Sequence, residues 1–215
     1  WSAVRGDFPL LTRQVHGKPL VYFDNANTAQ KPAAVIEAVD GFYRRHNANV
    51  SRAVHALGSE ATDAYEGARG KLARLLNVRG DELVLCSGTT FAINLVAYSW
   101  ALPRLGPGDV IVVSRMEHHA NIVPWQLVAQ RTGAQIRVAE LLPDGSLDMD
   151  ALDKALDGQV KLLAIAHVSN VLGTINPVRE ICRLARKRGI VSVVDGSQAV
   201  PHMAVDVGAI GCDLY

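Results

Sequence analysis

The chain has 215 residues, 49% hydrophobic and 20% charged, with 22 Lys+Arg against 21 Asp+Glu and a formal net charge of +1. That composition belongs to a folded globular protein and excludes a disordered, fibrous or strongly charged one. A near-neutral balance gives no electrostatic reason to expect nucleic acid or an acidic membrane surface as partner.

Taken in chain order, Val21-Tyr22-Phe23 reads as a short strand, and Pro32 as the first residue of a helix continuing over 33–45. Residues 46–58 are polar and weakly patterned, either an arm that reaches a ligand or partner subunit or a plain surface loop. A second helix is expected over 59–77, with Ala61, Tyr65, Ala68, Leu72 and Leu76 on one face. From about residue 80, short β-branched runs alternate with longer segments of helical period. Strands are expected over 82–86, 109–114, 135–139, 160–166 and 190–195, and helices over 90–100, 119–131, 148–156 and 178–188. Gly133 and Gly189 stand where helix C-terminal caps belong. A new strand begins near Gly211–Tyr215. The expectation is an α/β fold, a mainly parallel sheet covered by helices over residues 81–215, preceded by an N-terminal arm and helices over 1–80.

Cys86, Cys182 and Cys212 are odd in number and far from CxxC or Cys/His metal spacing, so neither a disulfide framework nor a zinc site is indicated and a reducing cytosol fits. No apolar run approaches the ~20 residues needed to span a bilayer, and residues 1–7 lack a signal-peptide layout. A soluble, cytoplasmic protein without a membrane partner is expected.

Four segments follow strands and carry polar residues suited to chemistry. Ser87-Gly88-Thr89-Thr90 opens a helix, where backbone N–H groups, two hydroxyls and a glycine can cradle a phosphate or simply cap the helix. The lysine and spacing of a Walker A loop are missing. Glu117-His118-His119-Ala120-Asn121 stands at the carboxyl end of a strand, where ligands bind in open α/β sheets. Its histidines can transfer protons, stack on an aromatic ligand or cap the helix, and HExxH metal spacing is absent. Asn170, in the long loop His167–Thr174, suits a carboxylate or ring hydroxyl, or stabilises its own turn. Asp195, in Val194-Asp195-Gly196-Ser197-Gln198, ends an apolar strand, so its carboxylate is desolvated and needs a cationic or hydrogen-bonding partner. Mg²⁺ on a nucleotide phosphate or a protonated heterocyclic nitrogen would serve. Metal asks for more oxygen ligands, and Glu117 is the one other acid placed after a neighbouring strand. A phosphate cradle, a flat histidine, a strand-end aspartate and a nearby glutamine at one sheet edge together describe a pocket for pyridoxal 5′-phosphate (PLP).

TTxxIN, MEHHANIVPWQ, HVSNVLGTINP and VDGSQAV, in this order and spacing, closely resemble the cysteine desulfurases of the iron–sulfur assembly type and the related selenocysteine lyases. These are class V aminotransferase-family, fold-type I PLP enzymes. YFDNANTAQKP and VHALGSEATDAYEGAR extend the resemblance over nearly the whole chain. It implies a fold-type I large domain, and a residue matching Asp195 that pairs with the pyridine nitrogen. It further implies that Gln198 contacts the ring hydroxyl, that His118 stacks on the ring and shuttles protons as the catalytic residue, that Thr89 and Thr90 bind phosphate, and that Asn170 and His55 face the substrate. The implied reaction converts L-cysteine to L-alanine and leaves a persulfide on an enzyme cysteine. A homodimer and a sulfur-acceptor protein are implied as partners, with cysteine or selenocysteine as substrate.

The family's Schiff-base lysine belongs to an SxHK-type segment after the strand that follows VDGxQ, and Lys18, Lys31, Lys71, Lys154, Lys161 and Lys187 do not match it. The large domain is therefore expected to be incomplete at its C-terminal end. Asp24-Asn25-Ala26-Asn27 replaces the family's DxAA, Phe91-Ala92 its Glu-Gly, and Val50-Ser51-Arg52-Ala53-Val54-His55 keeps Arg52 and His55 without the usual preceding histidine and glycine. These departures fall on substrate-side positions. They leave open another class V reaction, such as transamination, epimerisation or selenocysteine lysis, or a non-catalytic fragment or paralogue acting as a binding module.

Overall fold

The computed structural model describes residues 2–51 and 54–215, the side chains of residues 2 and 3 excepted; Arg52 lies outside them. The chain forms two compact units, residues 1–71 and residues 72–215.

In the first unit a short helix α1 (Ser2–Gly6) and a 3₁₀ turn (Pro9–Thr12) precede an antiparallel hairpin of β1 (Gln14–Val15) and β2 (Lys18–Pro19). His16 (φ 52°) and Gly17 (φ 73°) both take the left-handed conformation, which makes a two-residue turn whose twist matches the paired strands. Residues 21–23, expected as a strand, join no sheet. Val21 and Phe23 are 71% and 92% exposed, and Tyr22 is half-buried. Helix α2 (Ala33–Arg45) begins one residue later than expected, because Pro32, with ψ 154°, is its N-cap. Helix α3 (Ala56–Leu76) begins before the expected residue 59. His55 starts it: its Nδ1 accepts the Gly58 N–H at 3.2 Å and its carbonyl accepts the Ser59 N–H at 3.1 Å.

Asn77, left-handed at φ 54°, ends α3, and the Val78 N–H returns to the Ala73 carbonyl at 2.9 Å. In the second unit a 3₁₀ turn (Gly80–Glu82) leads into the segment expected as a strand over 82–86. It runs extended and alternates half-buried Leu83 and Leu85 with exposed Val84 and Cys86, yet it is not part of the sheet. Strand pairing requires a neighbour as well as a pattern, and none of the sheet's strands lies beside it.

Helix α4 (Thr89–Val96) widens into a π-turn over Ala97–Ala101, closed by the Leu102 N–H on the Ala97 carbonyl at 2.8 Å. Then follow β3 (Val110–Ser114), a 3₁₀ turn (His119–Asn121), α5 (Val123–Thr132), β4 (Gln135–Ala139), α6 (Met149–Ala155), β5 (Val160–Ala166), α7 (Val178–Lys187), β6 (Val191–Asp195) and α8 (Val207–Ile210). The helix expected over 119–131 breaks at Ile122, whose φ of −120° separates the 3₁₀ turn from α5, and Pro124 fits the first turn of α5. Gly133 caps α5 at φ 79°, and Gly189 follows α7 at φ 68°.

The sheet is parallel throughout, in the order β4-β3-β5-β6. Alternation along its strands builds two cores. Val112, Leu163, Ile165 and Val194 face α6 and α7 through Leu152, Ile181 and Cys182. Val113, Leu162, Ala164 and Val193 face α4 and α5 through Ile93, Trp125 and Val128. Strands apolar on both faces and covered on both sides need no amphipathic pattern of their own. At the chain's end Leu214 pairs alongside β6, its N–H on the Ser192 carbonyl at 3.0 Å and its carbonyl receiving the Val194 N–H at 2.9 Å. Because the strands are parallel, Ser114, Ala166 and Asp195 end β3, β5 and β6 at one edge.

Candidate functional site

Asp195 is 8% exposed at the end of β6, in register with Ala166 of β5. Its Oδ1 accepts the Ser197 N–H at 3.0 Å, the tight turn that sends the chain back past the sheet edge. Among the described residues no lysine or arginine forms an ion pair with it. The carboxylate borders a cavity of about 400 Å³.

Thr89 borders the same cavity. It opens α4 behind Gly88, whose φ of 143° suits glycine, and no side chain caps that helix end. The first-turn N–H groups of α4 therefore have no intrahelical acceptor and suit an anion. The Ser197 hydroxyl donates to Thr89 Oγ1 at 2.7 Å, which joins the start of α4 to the turn after Asp195. Thr90 is exposed, and its carbonyl accepts the Asn94 side-chain amide at 2.8 Å.

His118 is exposed on the connection between β3 and α5. Its Nδ1 accepts the Ala120 N–H at 3.1 Å, so it caps the 3₁₀ turn that follows. That bond places the ring proton of neutral His118 on Nε2. The His119 ring meets it edge-on, centroids 5.8 Å apart. Asn170 and Gln198, both half-buried, border a second cavity of about 510 Å³. The structure thus brings Thr89 to Asp195 and Asn170 to Gln198, in two cavities. His55 belongs to the first unit, where it caps α3.

Of the residues that depart from the resembled motifs, Asn27 donates its amide to Asp24 Oδ1 at 2.8 Å, Ser51 turns at φ 64° and donates its N–H to Thr62 Oγ1 at 3.0 Å, and Phe91 is 53% exposed.

Sequence reasoning did not find the polar network beneath His118. Glu117, 8% exposed, accepts hydrogen bonds from the Ser114 hydroxyl, the Asn121 amide at 2.6 Å and the Ala166 N–H at 2.9 Å. Asn121 in turn accepts the Trp125 indole N–H at 2.9 Å. Burial pushes the Glu117 carboxyl up to about 7; the three hydrogen bonds oppose that rise and the Asp195 charge adds to it. Glu117 lies before the 3₁₀ turn, Asn121 within it and Trp125 in α5, so no single helical period marks the three as a group.

His167, beside Asp195 on the neighbouring strand end, shares a 2.9 Å hydrogen bond between its Nδ1 and the Tyr215 hydroxyl, and burial lowers its pKa. The Tyr215 ring lies against Gly196, where any Cβ would collide with it. Cys182 and Cys212 are pushed up by burial to about 11 and about 12, which holds both as thiols. Among the described residues no cluster of His, Cys, Asp and Glu is placed to hold a metal ion, and no helix is long and apolar enough to cross a membrane.

The aminotransferase class-V family model matches residues 21–215. A Xylella fastidiosa relative named "Probable cysteine desulfurase" is 73% identical over 215 residues, covering 100% of this chain and 52% of its own length. A cysteine desulfurase structure from Thermococcus onnurineus superposes with a TM-score of 0.92 at 36% identity, covering 99% of this chain and 51% of that one. One from Escherichia coli gives 0.87 at 40% identity, with coverage of 99% and 52%. The chain therefore spans about half the length of the relatives it matches. With the family model matching all but the first residues, the chain belongs to the aminotransferase class-V family.

Proposed function

We propose that this chain is the cofactor-holding portion of a PLP-dependent cysteine desulfurase, which converts L-cysteine to L-alanine and passes the sulfur to an enzyme cysteine as a persulfide. The observation that carries the reading is Asp195, a buried carboxylate that forms no ion pair with a lysine or arginine among the described residues, on the wall of a cavity that also borders Thr89 at an uncapped helix start. A desolvated carboxylate calls for a cation, and a helix N-terminus for an anion. PLP carries both, a protonatable ring nitrogen and a phosphate. The high identity to the Xylella fastidiosa relative supports cysteine as the substrate.

When bound, PLP supplies an electron-withdrawing ring that stabilises negative charge on a substrate carbon. Asp195 holds a proton on the ring nitrogen, and the Ser197 N–H keeps the carboxylate aimed. Thr89, Thr90 and the α4 N-terminus take the phosphate. His118, proton on Nε2, stacks on the ring and moves a proton at that atom. Gln198 binds the ring hydroxyl, Asn170 the substrate carboxylate, and His55 the substrate side. A cytoplasmic homodimer that delivers sulfur to an acceptor protein for iron–sulfur cluster assembly completes the reading.

Full-length protein supplied with PLP is expected to show an absorbance band near about 400 nm and to release alanine from cysteine. Asp195→Ala is expected to weaken PLP binding and abolish turnover, with Asp195→Glu keeping part of the binding. Protein that stays colourless with PLP, or wild-type turnover by Asp195→Ala, would refute the assignment.

A further inference from the structure

The connection from β3 to α5, residues 115–122, carries His118 and is tied down by side-chain hydrogen bonds of fixed polarity. An indole N–H only donates, so Trp125, fully buried, fixes Oδ1 of Asn121 as acceptor and turns the Asn121 Nδ2 toward Glu117. Glu117 Oε2 must then accept, at 2.6 Å. The Ala166 backbone N–H also only donates, so Oε1 accepts it, at 2.9 Å. The Ser114 hydroxyl completes the set and can reverse its proton if Glu117 takes one up, leaving the other two bonds as they are. A neighbouring tie has the same direction: Asn176 Nδ2 donates to Met116 Sδ at 3.2 Å and to the Ala166 carbonyl at 2.8 Å.

Glu117, one residue before His118, therefore joins the ends of β3 and β5 to the 3₁₀ turn and, through Asn121 and Trp125, to α5. Ala166, which it grips, lies in register with Asp195. We infer that Glu117 is a positioning residue that sets the pose of His118 over the cofactor relative to Asp195, and that Asn121 and Trp125 fix its direction. The inference rests on the proposed binding of PLP in this site. Glutamine is not a conservative replacement. Its amide N–H₂ would face either the Asn121 N–H₂ or the Ala166 N–H, donor against donor. Adding Asn121→Asp to Glu117→Gln restores the order. The introduced carboxylate accepts both from Trp125 and from the introduced amide, and the buried negative charge moves one helical turn along the network.

The test uses full-length protein and three readouts: PLP affinity by titration of cofactor-free protein, circular dichroism of the bound cofactor band, and the NMR signal of the Trp125 indole N–H in the cofactor-free form. Glu117→Gln is expected to lower PLP affinity roughly tenfold, as for one frustrated buried hydrogen bond, to weaken the cofactor dichroism and to shift the indole signal. Glu117→Gln/Asn121→Asp is expected to return PLP affinity and dichroism to within about threefold of wild type, with the indole signal shifted as for a carboxylate acceptor. In a His118→Ala background the Glu117→Gln loss of affinity is expected to shrink, because both act through one ring. Wild-type affinity and dichroism in Glu117→Gln, failure of the double variant to restore them, or losses that add fully with His118→Ala would each overturn the inference. If wild-type protein fails to take up PLP while the indole signal responds as expected, the cofactor reading fails and the hydrogen-bond order stands.

Discussion

Asp195 and Glu117 are both buried carboxyl groups at one sheet edge, and the fold answers them differently. Glu117 has three donors from the protein, whereas Asp195 has one N–H at Oδ1 and faces the cavity. Asp195 was legible in the sequence because an acid ending an apolar strand has few structural uses. Glu117 was not, since its role depends on Ala166, 49 residues away in the chain. Its titration has a definite sign. The folded carboxyl is raised from an ordinary value of 4.5 to about 7, so between these values the folded state binds more protons than the unfolded one. The stabilising contribution is fully present below about 4.5 and is lost as pH rises through about 7. Over that window it amounts to on the order of 3 kcal/mol. Relative to Glu117→Gln, the wild-type chain is expected to gain stability as pH falls from about 8 to about 5 in denaturant titrations. A difference between the two that does not vary with pH would refute it. The cysteines divide just as clearly: exposed Cys86 is expected to react with a maleimide in the native state, while Cys182 and Cys212 react fully only after unfolding. Mass spectrometry of the labelled peptides distinguishes the outcomes, and native labelling of Cys182 at the rate of Cys86 would count against it.

At the scale of elements, β3 to β6 were legible because apolar runs on both faces have few homes other than a covered parallel sheet. The extended segments at 21–23 and 82–86 carry strand-like residues but join no sheet, since pairing is decided by what lies alongside. The hairpin at His16-Gly17 was missed because its strands are two residues each, too short to show a period. The breaks at Ile122 and over Ala97–Ala101 were missed because helical periodicity continues through them. This gives a stability contrast. Leu163→Ala, in the middle of β5 and fully buried, is expected to cost about 2–5 kcal/mol, whereas Val84→Ala, 67% exposed outside the sheet, is expected to stay within about 0.5 kcal/mol. Urea midpoints of the two variants check it, and equal losses would mean that the 82–86 segment is packed as tightly as the sheet.

At the scale of the whole molecule, the residues suited to PLP and those suited to attaching it covalently are separable. Lys18, Lys31, Lys71, Lys154, Lys161 and Lys187 are all exposed, and none borders the cavity that holds Asp195 and Thr89. A carbonyl carbon bound there has charge and phosphate partners but no amine among these residues to bond with it. Binding by this 215-residue chain is therefore expected to be reversible. Dialysis should remove PLP, and borohydride treatment should fix pyridoxyl groups only on surface lysines, at levels that Asp195→Ala does not change. If the proposed function holds, a longer protein containing these residues is expected under the same treatment to retain a pyridoxyl group at a lysine other than these six, and Asp195→Ala should reduce that labelling. Peptide mapping after reduction separates the cases. A cavity-dependent label on any of these lysines would show that this portion of the chain carries its own attachment point.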